Sequence, residues 1–192
     1  MVLEPDRSPL NFERSAREAF AFLGDLGYSE IAASPTLVRY GKGDIEVDVY
    51  HGRQSYEIGA GIAVGGTRYS MSALIRAADP ALAARSRNYV ATTPEGVTAG
   101  LKALADLLKR YGARALSGDV MFFAALDRSG ALWSQEYALD VLAEQLRPRA
   151  AAAFRARDYS TAAGLYAQVR SRLSPAEIKK LAIAEARSRR ST

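Results

Sequence analysis

The run Ile45-Glu46-Val47-Asp48-Val49-Tyr50, the break His51-Gly52-Arg53-Gln54 and the run Tyr56 to Val64 together decide the fold. Ile45, Val47 and Val49 alternate with Glu46, Asp48 and Tyr50, the period of two of a half-buried strand. Tyr56, Ile58, Ala60, Ile62 and Val64 share one face of the strand that follows. The polar break is too short for a parallel crossover, so the two strands pair as an antiparallel hairpin with His51 to Gln54 as its turn. Register then buries Val47, Val49, Ile58 and Ile62 together.

Working outward, Thr36 to Tyr40 reads as a preceding strand, with Gly41-Lys42-Gly43 as its turn. Gly65-Gly66 ends the hairpin, and a short fourth strand is expected around Arg68 and Tyr69. Residues 1–10 read as a frayed N-terminus. Asn11 is a candidate cap for one amphipathic helix carrying Phe12, Ala16, Ala19, Phe20, Leu23 and Leu26, stopped by Gly27. Beyond Ser70 the pattern is helical: a short helix from Ser70 or Ser72, one from Asp79-Pro80, and one from Thr93-Pro94-Glu95 to Gly112. A longer helix begins near Ser117 or Asp119, and Pro148 is expected to end or kink it. The fold class is therefore α+β: an N-terminal helix on a three- or four-stranded antiparallel meander, then a mostly helical C-terminal half. The expected divisions are an α+β region at 11–90 and a helical region at 91–192.

Composition narrows the function classes. The chain has 192 residues, 48% of them hydrophobic and 24% charged, enough for a packed core. It has no cysteine, which excludes disulfides, thiolate zinc sites and cysteine nucleophiles. The absence of a basic-then-apolar leader and of a membrane-length apolar run points to a cytoplasmic protein without membrane contact. Arg-rich, Ala-rich usage is that of a GC-rich bacterial genome. Arg147 to Thr192 holds 11 Arg or Lys against Asp158, Glu177 and Glu185, a balance of +8 on a chain of net +5. A basic end on a near-neutral body selects acidic partners.

The C-terminal segment Ala153 to Tyr166, with Asp158-Tyr159 at its turn and Ala162 and Tyr166 after it, resembles one tetratricopeptide repeat. The resemblance implies a helical hairpin over 137–173. Arg157 stands where the repeat usually has glycine, and the usual Trp and Leu-Gly of its first helix are missing. Ser174-Pro175-Ala176-Glu177 then forms a capping box for a terminal helix at 175–188. Leu26-Gly27-Tyr28, Tyr50 to Gly59 and Ala91 to Val97 are similar to segments of an uncharacterised group of bacterial α+β proteins. Small proteins of this shape occur as immunity partners of bacterial toxins, which implies a protein-binding role.

Candidate chemistry is sparse. His51 is the only histidine and reads as a solvated turn residue. Asp44, Glu46 and Asp48 point to one face of a strand near Glu57, a pattern open to a divalent cation, to a basic partner or simply to solvent. Gly59 to Gly66 resembles a dinucleotide loop, but such a loop must join a strand to a helix, and these glycines lie inside a strand and a hairpin. The reading is a non-catalytic protein-binding module of immunity or adaptor type, without cofactor or metal. Glu46, Asp48, Tyr50, His51 and Arg53 on the sheet and Arg170, Arg172, Arg187 and Arg190 on the basic end are its candidate partner-binding residues. The alternatives are a metal-assisted hydrolase at the acidic strand and a nucleic-acid accessory protein.

Overall fold

A computed structural model describes residues 7–189 and divides the chain into two compact units, Met1–Ser129 and Gly130–Thr192. The first is α+β. Its sheet is antiparallel and runs β1 (Ser29–Ser34), β2 (Leu37–Lys42), β3 (Ile45–His51), β4 (Glu57–Val64), β5 (Thr67–Ser70) in spatial order. A sixth short strand, β6 (Tyr89–Val90), pairs with the beginning of β4. Val47 lies opposite Ile62 and Val49 opposite Ala60, so the alternation of the opening hairpin puts one apolar row inward. Val47, Val49, Ile58 and Ile62 are all buried, as expected.

Two strands are invisible to sequence periodicity. β1 is Ser-Glu-Ile-Ala-Ala-Ser, largely exposed along its length, and it exists because β2 offers it a ladder. β6 is only two residues long and exposed.

The inner sheet face is covered by α1 (Phe12–Ala19) and α5 (Pro94–Tyr111), with α3 (Met71–Ala78) beside β4 and β5. One continuous core joins Phe12, Phe20, Val38, Val47, Ile62, Leu74, Leu101 and Leu108. The single N-terminal helix expected over Phe12 to Leu26 is broken at Phe20, and a short α2 (Phe22–Asp25) follows. Asn11 precedes α1 but makes no side-chain cap, because its own backbone is left-handed at φ 51° and closes the Ser8–Leu10 3-10 turn. Residues 7–10 are thus structured rather than frayed, and Arg7 is buried. Thr93 caps α5 as its Thr-Pro-Glu sequence requires, and α4 (Pro80–Arg85) is capped by Asp79. Because α5 packs on the sheet, the first unit extends well beyond residue 90.

After a turn of helix at α6 (Ala113–Leu116), α7 (Val120–Arg155) begins in the first unit, where Phe122, Phe123 and Leu126 join the core. Its remainder forms the second unit with α8 (Tyr159–Gln168) and α9 (Pro175–Ser188). Pro148 does not end α7, which continues to Arg155. Leu146 and Ala150, on either side of it, are each buried against other helices, and Glu144, whose carbonyl loses its i+4 donor, is exposed to water. Packing therefore outweighs the local cost of the proline. Asp158 caps α8, and Ser174 with Glu177 forms the expected capping box on α9. Arg157 takes φ 61° in the turn between α7 and α8.

Candidate functional site

The face of the sheet turned away from the helices gathers three of the expected candidates. Glu46, Asp48 and Tyr50 of β3 point outward there, and the register sets Arg39 of β2 directly across from Asp48. Asp48 is buried although charged, because two cations enclose it. Arg39 Nε donates to its Oδ1 at 2.6 Å, and Arg68 Nε lies 3.5 Å from Oδ2. Glu46 leans on the same Arg39 at 3.6 Å. The hydrogen bond to Asp48 raises the Arg39 pKa above its usual value. The acids of β3 are thus spent on arginines that sequence reading did not connect to them. Among the described residues no three Asp, Glu, His or Cys side chains gather to hold a metal ion.

Glycines shape the rest of this face. Gly59 faces Tyr50 across the ladder, and a Cβ on Gly59 would come within 2.3 Å of the Tyr50 ring. A Cβ on Gly61 would meet Arg68 Nε at 2.9 Å. The two glycines let Tyr50 and Arg68 lie flat over β4, with the Arg68 guanidinium 5.1 Å from the Tyr50 ring centroid. Burial raises the Tyr50 phenol pKa, Glu57 adds to the rise and Arg68 opposes it.

His51 departs from expectation most. It is the last residue of β3, not part of a turn, and its alternation turns it to the core side, where it is only 1% exposed. A short run of His-Gly-Arg-Gln looks polar in sequence, but β3 extends into it and Phe12 stacks on the ring at 5.9 Å. Nε2 bonds the Ala91 carbonyl at 2.9 Å, and Tyr56 meets the ring edge-on. Desolvation pushes the His51 pKa below its usual value, and the Arg7 charge acts in the same direction. A side chain so enclosed is not a surface contact. Arg53 is exposed in the turn, and its carbonyl accepts a bond from the buried Arg7.

Beside this face, at the edge of β4, lies a cavity of about 300 Å³ that the sequence did not signal. Tyr50, Glu57 and Gly59 stand on the sheet side of it, Ser70 and Ser72 at one end, Arg87 and Asn88 at the other, and Ile75, Leu104 and Leu107 form its apolar floor. These residues come from β3, β4, β5, α3, the loop before β6 and α5, so no local spacing could have joined them.

The basic end is less available than its charge suggests. Arg147 donates to Glu177 at 2.8 Å, Arg172 to Asp140 at 2.5 Å, and Arg187 to the Tyr159 hydroxyl while lying over its ring. Arg170 is exposed, and Arg190 lies outside the described residues. The acids Glu136, Asp140 and Glu144 of α7 belong to the same unit and moderate its charge. No helix among the described residues is long and apolar enough to cross a membrane. Comparison with protein-family models, with curated proteins and with solved structures returned no match to this chain.

Proposed function

We propose that the protein is a non-catalytic binding module, of immunity or adaptor type, that engages another protein through the outer face of its sheet. The observation that carries this reading is the Tyr50–Arg68 pair laid flat over Gly59 and Gly61. Tyr and Arg are the side chains that most often anchor protein interfaces, since both combine large contact area with a polar end. A flat aromatic held by glycines is pre-organised and loses little rotamer freedom on contact. Arg39 and Arg68 are offset by Asp48 and Glu46, so the face carries little net charge, and the Tyr50–Arg68 pair offers contact area and hydrogen-bond donors rather than a field of one sign. The likeness of the C-terminal hairpin to a tetratricopeptide repeat is in keeping with the same role.

The hydrolase alternative finds less support, because Asp48 is committed to two arginines. The nucleic-acid alternative is weakened by Arg147, Arg172 and Arg187, which are engaged within their own unit. The test is site-specific photo-cross-linking in the cell of origin, with a photoreactive residue at position 63, opposite Arg68 on β4, and, as control, at Lys102 on α5. The expected result is one discrete protein adduct from position 63 alone, lost when Gly59→Ala pushes Tyr50 out of place. Equal or indiscriminate adducts from both positions would overturn the reading.

A further inference from the structure

The ladder along β4 has a gap. β5 pairs only with Gly61 to Val64, and β6 only with Glu57 and Ile58. Both short strands run antiparallel to β4 on the same side, one ending and the other beginning at a stretch opposite Gly59 and Ala60 that neither strand covers. Alternation settles which backbone groups face that stretch. The Glu57 carbonyl accepts from Gly52, beside β3, whereas the Tyr56 carbonyl accepts from Ala91, beside β6. Ile58 and Ala60 therefore turn their N–H and C=O toward the β5–β6 side. At Ala60 no strand stands opposite, and the 300 Å³ cavity lies there instead.

We infer that this gap receives a short extended segment of the partner chain, which completes the β4 ladder between Ser70 and Tyr89. The inference rests on the binding reading above and names its mode. Three features argue for an extended peptide. The Ala60 donor and acceptor form the two-bond pattern that an antiparallel residue satisfies. The space opposite Gly59 and Ala60 is two residues long, and its volume suits one or two small residues and an apolar side chain. Ile75, Leu104 and Leu107 supply an apolar floor for that side chain, while Ser70 and Arg87 mark polar ends. Gly100 contributes by absence: a Cβ there would strike the Tyr89 ring at 2.4 Å, so glycine lets β6 lie close on α5 and hold the far end of the gap.

Direction follows from the two flanking strands. A segment continuing β5 toward β6 runs antiparallel to β4, with its N-terminal side at Ser70 and its C-terminal side at Arg87.

The test uses isotope-labelled full-length protein and the capped dipeptide acetyl-Ser-Leu-amide as probe, followed by amide chemical shifts. The expected result is saturable shifts at Gly59, Ala60, Tyr89 and Leu104. N-methylation of the peptide amides, one at a time, should weaken binding at least tenfold at one position, because it deletes the donor to Ala60. Ala103→Trp, at an exposed α5 position on the cavity, should abolish the shifts without changing the thermal melt, and Ala103→Leu should weaken them. Absence of saturable shifts up to about 10 mM peptide would overturn the proposal. Equal binding by every N-methylated form would overturn it as well. If cross-linking at position 63 succeeds while the peptide ignores the gap, the binding reading stands and this inference fails. If the peptide binds and no cross-link forms, the gap takes an extended segment but the outer face is not the partner's surface, and the binding reading fails as stated.

Discussion

In residues 1–129 a single apolar core runs from α1 through the sheet to α3, α5 and the first turns of α7. Among the described residues of 130–192 no buried cluster of that extent forms. They rest on two small clusters, Ala143–Leu146–Val169 and Ala150–Tyr166–Leu181, bridged by half-buried Leu165 and Leu173 and rimmed by the ion pairs Arg147–Glu177 and Arg172–Asp140. The difference teaches how each unit fails. The sheet unit depends on apolar area removed from water, and polar insertion is its weakness. The helical unit buries less per helix, so caps, turns and charge pairs carry a larger share of its stability.

The largest effect should come from Val47→Asp, which places an unpaired charge against Ile62 in the sheet core. A loss of about 3–5 kcal/mol is expected from urea unfolding. An unchanged midpoint would show that the sheet core is not what holds that unit. Leu181→Ala should cost the helical unit about 2–4 kcal/mol by opening a cavity beside Ala150 and Tyr166. Followed by separate amide probes, the first substitution should release the sheet unit's amides and the second those of α8 and α9. Simultaneous release of both sets by either substitution would dissolve the comparison.

Acid offers a subtler separation. His51 is buried neutral with its pKa depressed, so the unfolded chain binds a proton that the folded one refuses. Stability of the sheet unit should therefore begin to fall as pH drops below the ordinary histidine value of 6.5. Arg147, with Ser174, holds the Glu177 carboxyl down at about 2, against an ordinary 4.5. Its contribution is whole above pH 4.5 and is lost as the pH falls from there toward 2. After screening, that loss is about 1–2 kcal/mol. A pH series of melts should thus weaken the sheet unit first, and His51→Gln should flatten its decline between pH 6.5 and 5 while leaving the helical unit unchanged. The same onset in His51→Gln would exclude the histidine as its cause.

The smallest effect is a gain. Arg157 holds φ 61° in the α7–α8 turn, a conformation that costs a side chain about 1 kcal/mol and glycine almost nothing. Arg157→Gly should raise the melting temperature of the helical unit by a few degrees. Reversal of Arg170, Arg172, Arg187 and Arg190 to Glu is not a neutral surface change, because it severs Arg172 from Asp140 and Arg187 from Tyr159. Arg170→Glu alone is the cleaner probe of exposed charge, with a melt shift near zero.

Where amino-acid pattern alone determined the outcome, the signal was local and redundant. Alternation at Ile45–Val49 and Ile58–Val64 set the hairpin and its buried face. Thr93-Pro94, Asp79-Pro80 and the Ser174–Glu177 box set helix starts, because a cap bonds backbone within three residues of itself. Tertiary structure alone decided the rest. β1 and β6 exist through pairing with β2 and β4, not through propensity. Pro148 stays inside α7 because Leu146 and Ala150 are packed on both sides of it. His51 became a core residue because β3 runs one residue further than its polar neighbours imply and Phe12 covers it. Asp48 found Arg39 and Arg68 across two strands, and the cavity at Ala60 drew its walls from β3, β4, β5, α3, α5 and a loop far apart in the chain. Spacing along a chain encodes contacts made within one helical turn or one pleat. Contacts between distant segments depend on how whole elements stack, and no short run of residues carries that information.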